Sequence, residues 1–67
     1  MITVSINGES RQLPQPFNVA ALIEMMGYSG KRIALERNGE IVPRGTFATT
    51  QLADGDRLEI VVAVGGG

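Results

Sequence analysis

Two Asn-Gly pairs, Asn7-Gly8 and Asn38-Gly39, each stand between short runs that alternate apolar and polar residues. Asn and Gly both tolerate the positive φ that a two-residue type I′ turn requires, and that turn follows the twist of paired antiparallel strands. The first pair therefore closes a hairpin. Ile2, Val4 and Ile6 share one strand face, Thr3 and Ser5 the other, and Glu9 to Leu13 return as a weaker, more polar partner. The second pair closes another: Ile33 and Leu35 alternate with Arg32, Ala34 and Glu36, and Glu40-Ile41-Val42 return as a short edge strand stopped by Pro43.

A helix is expected between the hairpins. Pro14 and Pro16 break the second strand, Asn18 is suited to an N-cap, and Val19, Leu22, Ile23 and Met26 fall at i, i+3, i+4 and i+7, with Gly27 as a left-handed stop. A helix of Val19 to Met26 is too short to hold in water alone, so it must pack on a sheet. Residues 44 to 53 contain only Phe47 and Leu52 as large apolar groups and read as a connection or single helical turn pinned by them. The turn Asp54-Gly55-Asp56 then leads into the longest strand, Arg57 to Val64, with Leu58, Ile60, Val62 and Val64 on one face.

This element order gives an α+β, β-grasp (ubiquitin-like) arrangement: a mixed sheet of four to five strands, one main helix on one face, and the first and last strands as central neighbours. One domain is expected over residues 1–64, followed by a flexible glycine tail at 65–67. The expected core is Val4, Ile6, Leu22, Ile23, Met26, Ile33, Leu35, Phe47, Leu52, Leu58, Ile60 and Val62.

Composition then removes whole classes of function. The chain has 67 residues, a net charge of −1, and neither Cys nor His, which excludes thiol nucleophiles, disulfides, thiolate or imidazole metal sites and every triad with a histidine base. A core this thin leaves no room for a deep enclosed active site. The scattered Lys and Arg residues form no basic stripe for nucleic acid. No apolar run approaches the roughly 20 residues of a membrane span, and Met1-Ile2-Thr3 lacks a basic signal start, so a cytoplasmic protein without membrane or nucleic-acid partners is expected.

Few residues remain to carry chemistry. Asp54 and Asp56 are spaced as an acid–base or cation-binding pair, but with no further clustered acid nearby they are weighed as turn residues and no metal site is expected. Met25 and Met26 fit packing better than sulfur ligation, and Ser5, Ser10 and Ser29 have no base to activate them. Gly65-Gly66-Gly67 stands out because glycine loses more entropy on ordering than any other residue. Two readings are open: a frayed end, or an arm reaching about 10 Å whose missing Cβ atoms let it thread a narrow channel. Likewise Val61 and Ala63, outward on the last strand beside Ala34 and framed by Arg32, Arg57 and Glu59, are either ordinary strand formers or a docking patch.

Leu52-x-Asp54-Gly55-Asp56-x-Leu58, the hairpin Glu36-Arg37-Asn38-Gly39-Glu40-Ile41-Val42-Pro43-Arg44 and the Gly66-Gly67 terminus together resemble the ThiS family, the sulfur carriers of thiamin biosynthesis. The conjunction carries the resemblance, since each motif alone is a generic turn. It implies a protein co-substrate rather than an enzyme, with Gly66 and Gly67 as the functional terminus and Gly65 lengthening the tail. An E1-like (ThiF-like) enzyme using ATP and magnesium would adenylate the Gly67 carboxylate, a sulfur donor protein would convert it to a thiocarboxylate, and a ThiG-like thiazole synthase would receive the sulfur. This chain itself would bind no cofactor. The alternatives are the small subunit of molybdopterin synthase, usually longer and with aromatic or proline residues before its glycines, and a ubiquitin-like modifier or interaction module, which often carries residues beyond its diglycine.

Overall fold

The computed structural model describes residues 1–63. Five strands, one α-helix and one 3-10 turn follow in the order β1 (Ile2–Ile6), β2 (Glu9–Leu13), α1 (Val19–Met25), β3 (Ile33–Arg37), β4 (Glu40–Ile41), the 3-10 turn (Arg44–Thr46) and β5 (Arg57–Val62). They form one sheet in the order β2-β1-β5-β3-β4, with β1 and β5 parallel at its centre and the other pairs antiparallel.

Both Asn-Gly turns have the expected geometry, with Asn7 and Asn38 at φ 51° and 52° and Gly8 and Gly39 at 87° and 86°. Their side chains do more than the turns require. Asn7 Nδ2 donates to the Ile60 carbonyl at 3.1 Å and Asn7 Oδ1 accepts from the Ile60 N–H at 2.8 Å, continuing the β1–β5 pairing beyond the end of β1. Asn38 Oδ1 accepts from the Arg57 N–H at 2.9 Å on the other edge of β5. The two hairpin asparagines thus grip the last strand from both sides. Periodicity assigns them to turns and is silent on these bonds, because the partners lie 53 and 19 positions away.

The helix is capped as its sequence requires: Asn18 Oδ1 accepts from the Ala21 N–H at 2.7 Å. It closes at Met25, with Met26 as C-cap, one residue earlier than expected, and Gly27 follows at φ +79°. Segment 44–53 is tied to the helix entrance through the backbone as well as through apolar anchors. Val19 N–H donates to Thr50, Ala20 N–H to Phe47, and Leu52 N–H to the Phe17 carbonyl, at 2.9 to 3.0 Å.

The core lies between the inward sheet face and α1. Its buried members are Ile2, Val4, Ile6, Leu13, Val19, Leu22, Ile23, Leu35, Leu52, Leu58 and Ile60. Met26, Ile33, Phe47 and Val62 are corrected from buried to half-buried, packed against its margin. All four sit at the end of an element: Ile33 and Val62 are opposite each other at one end of the β3–β5 pair, Met26 is the C-cap of α1, and Phe47 is the C-cap of the 3-10 turn. Ile2, Leu13 and Val19 replace them: Ile2 pairs with Leu13, closing the core below the first hairpin. The returning strand of the second hairpin is also shorter than expected, because Val42 lies outside β4, although its N–H still bonds the Leu35 carbonyl at 2.9 Å. Among the described residues no helix is long and apolar enough to cross a membrane.

Candidate functional site

The strand alternation that buries Leu58 and Ile60 turns Arg57, Glu59, Val61 and Ala63 to the opposite face of the sheet, and all four are exposed. Antiparallel register sets Ala34 of β3 directly across from Val61. Val61 is 65% exposed, which no strand packed on both faces would allow. The Ala63 N–H donates to the Arg32 carbonyl at 2.9 Å, so Ala63 is the last described point at which the chain is held by the sheet before Val64 and the glycines. Arg57 is at the far end of the same strand, beside Ser5 of β1, four positions and roughly 13 Å from Val61. It borders the apolar positions at a distance and is not one of them.

Ile41 joins this surface and was not among the sequence-derived candidates. The β3–β4 register pairs it with Glu36, on the same face as Ala34, and it is 63% exposed. The signal was available in the second hairpin: a two-residue turn at Asn38-Gly39 puts Ile41 opposite Glu36, and Glu36 shares parity with Ala34. Val61, Ala63 and Ala34 therefore form a small apolar patch on two strands, and Ile41 lies one row along on a third, in line with the Glu36 and Glu59 carboxylates. Gly65, Gly66 and Gly67, and with them the boundary expected at residue 64, lie outside the described residues.

Asp54 and Asp56 are committed to the fold. Asp54 Oδ1 accepts from the Thr3 N–H at 2.7 Å, docking the start of β1. Asp56 is 6% exposed and accepts from Arg37 Nε at 2.8 Å, Asn38 Nδ2 at 3.0 Å and the Ala53 N–H at 2.8 Å. It is thus more than the turn residue its spacing suggests, joining the second hairpin to the start of β5. Burial alone would push its carboxyl up; the Ala53 N–H, the Asn38 amide and the Arg37 guanidinium outweigh that and hold it below its ordinary value of 3.8. Because the folded state binds the proton less readily than the unfolded chain, this ionisation stabilises the fold fully above the ordinary value and progressively less as pH falls through the lowered one. Asp56→Ala is expected to cost about 2 to 4 kcal/mol at pH 7, since it leaves a cation and two further donors unpaired. Urea unfolding of wild type and Asp56→Asn from pH 7 to pH 2 checks the sign: their difference should shrink with acid.

Among the described residues, no group of three or more His, Cys, Asp or Glu side chains could hold a metal. What the geometry presents is an apolar patch on a largely polar and charged sheet face, on a central strand that is followed in the sequence by three glycines. The ThiS family model matches residues 4–67, from β1 through the last glycine.

The chain belongs to the ThiS family.

The similarity to solved structures agrees. The crystal structure of the thiamine biosynthesis protein ThiS from Geobacter metallireducens superposes with a TM-score of 0.82 at 28% identity, covering 98% of this chain and 100% of that one. A thiazole synthase from Paramagnetospirillum magneticum is 45% identical over 62 residues, covering 92% of this chain. The chain spans only 19% of that protein, so the likeness is to one part of a larger molecule. The protein ycf40 of Porphyra purpurea is 35% identical over 66 residues and is covered over 93% of its length. The β-grasp arrangement, with a five-stranded mixed sheet carrying one helix, is that of the ThiS structures.

Proposed function

We propose that this chain is a sulfur carrier that presents the Gly67 carboxylate to two enzymes in turn. The observation that carries the reading is the ThiS family match, which runs through the glycine end rather than stopping at the last strand. In the first encounter an E1-like, ThiF-like enzyme binds ATP and magnesium; a Gly67 carboxylate oxygen attacks the α-phosphorus, and pyrophosphate leaves. A carboxylate is a poor acyl donor, and the mixed anhydride so formed has AMP as a good leaving group. A sulfide equivalent from a sulfur donor protein then attacks the carbonyl carbon, AMP departs, and a thiocarboxylate remains. ATP and magnesium belong to that enzyme, and this chain acts as co-substrate.

In the second encounter the thiocarboxylate sulfur passes to a ThiG-like thiazole synthase. Thiazole synthases that contain a segment similar to this chain support that acceptor, because a carrier and its acceptor gain effective concentration when joined. The same relatives favour the thiamin reading over a molybdopterin synthase subunit or a protein modifier. The test is the acceptor: thiocarboxylated protein mixed with thiazole synthase and its other substrates should lose its sulfur into a thiazole. Transfer to the molybdopterin synthase large subunit and not to thiazole synthase would overturn the assignment.

The apolar patch of Val61, Ala63 and Ala34, with Ile41 one row along, serves as the docking surface that carries the tail to its enzymes. A charge at its centre would be desolvated in the complex but hydrated in the free protein. Val61→Asp or Ala63→Asp should therefore weaken binding of the adenylating enzyme by about tenfold or more while the unfolding midpoint stays close to wild type. Isothermal calorimetry with unchanged affinity in both variants would return these positions to plain strand formers.

A further inference from the structure

On the helix side of the sheet, α1, the loop over residues 28 to 32 and the 3-10 turn surround an open cleft of about 510 Å³. Its floor is apolar. Ile23 is buried, and Tyr28 and Phe47 are half-buried against the core. Its rim carries Lys31, Arg32 and Arg44, half of the six cationic side chains in the chain, against the single acid Glu24. All three cations are exposed, and among the described residues the one ion pair is Arg37 with Asp56, so no described carboxylate pairs with any of the three. Gathering unpaired like charges works against folding, and a net charge of −1 gives no reason for it.

The cleft's shape discriminates between ligands. Sites for small molecules enclose most of the ligand and aim a few fixed polar groups at it. Here the charges sit on long, exposed side chains around an open apolar floor. That suits a segment of protein chain that lays one apolar side chain on Tyr28 and Phe47 and places carboxylates toward the rim. The position narrows the partner further. Arg32, on the rim, holds Ala63 through its carbonyl, and the four residues after Ala63 reach at most about 14 Å when extended. Any protein that draws Gly67 into its own site has its surface within that reach of the cleft.

We infer that the Lys31–Arg32–Arg44 cleft docks an acidic segment, with an apolar residue at its centre, at the mouth of the site on the adenylating enzyme that receives the C-terminus. The inference rests on the carrier reading for the identity of the partner; Lys31 and Arg44 stand apart from Val61 and Ala34, and Arg32, bonded to Ala63, lies between the cleft and that patch. Carboxylates meeting this rim steer encounter as well as hold the complex, so their contribution is screened by salt.

The test is calorimetric binding of the intact chain to the adenylating enzyme without ATP, at low and high sodium chloride. The double variant Lys31→Glu, Arg44→Glu should bind at least about tenfold more weakly at low salt, and the wild type's loss of affinity with salt should flatten in the variant. The milder Lys31→Gln, Arg44→Gln pair should fall between, and thermal midpoints of both should match wild type because the side chains are exposed. Amide shifts of the wild type on adding the enzyme should include Tyr28, Lys31, Arg32 and Arg44. Unchanged affinity and salt dependence in folded variants would overturn the inference, as would no binding by wild type. Saturable binding of ATP or inorganic phosphate to the free chain, lost in the same variants, would reassign the cleft to a small anion and overturn it equally. Sulfur loading of wild-type Gly67 is measured separately: binding through the cleft without loading sinks the carrier reading and leaves the cleft standing.

Discussion

Incubated with its adenylating enzyme, ATP, magnesium and a sulfur donor, the protein is expected to gain roughly 16 Da on Gly67, the mass of one oxygen replaced by sulfur. Methionine oxidation adds nearly the same mass, so fragmentation must place the gain on the terminal residue and not on Met25 or the half-buried Met26. Deleting Gly67 should abolish the gain. The deletion withdraws the carboxylate by about 3.5 Å, and in-line attack on a phosphate tolerates far smaller errors. Gly66→Val should fail too, since a branched Cβ obstructs a channel fitted to bare backbone. The last buried core residue among those described is Ile60, six positions before Gly66, so unfolding midpoints should stay at the wild-type value. Equal loading of the Gly67 deletion, or none of the intact chain by an enzyme shown to be active, would end the carrier reading.

Leu22→Ala is expected to remove about 2 to 5 kcal/mol of folding free energy. Leu22 is fully buried in the same core cluster as Val4 and Leu35, and the truncation leaves a void that a seven-residue helix cannot collapse into without loosening the rest of that cluster. A domain of this length has a total stability of roughly 3 to 10 kcal/mol, so the variant should be partly unfolded at physiological temperature. Ile60→Ala should fall toward the lower end, because Ile60 retains 6% exposure. Val61→Ala, one residue along the strand and on the other face, should cost less than about 1 kcal/mol. Urea unfolding of the three variants checks the ordering, and a loss below about 1 kcal/mol for Leu22→Ala would mean that the helix does not seal the core.

Much of the architecture was readable before any coordinate was known. Asn7-Gly8 and Asn38-Gly39 specify tight hairpins, and alternation around them assigns each strand's inward face. Asn18 and Gly27 bound the helix to within one residue of its observed end. The outward positions of β5 followed from the same alternation, which is why Val61 and Ala63 were found and why each is exposed. Ile41 is visible only through the register of the edge strand, which its two-residue length does not convey.

What the sequence by itself determined is therefore local: turns by backbone preference, the helix by its cap and stripe, strand faces by parity. These depend on residues within a few positions of one another, so a linear reading reaches them. Only the tertiary structure decided that Asp56 is a buried junction, that Asn7 and Asn38 clasp β5 from both sides, and that Lys31, Arg32 and Arg44 share one cleft. Asp56 bonds to Arg37, 19 positions away, and Asn7 to Ile60, 53 positions away. Such partners meet only after the sheet has chosen its strand order, and that choice comes from burying Leu58 and Ile60 between β1 and β3 beneath the helix, a collective gain that no short window of sequence contains.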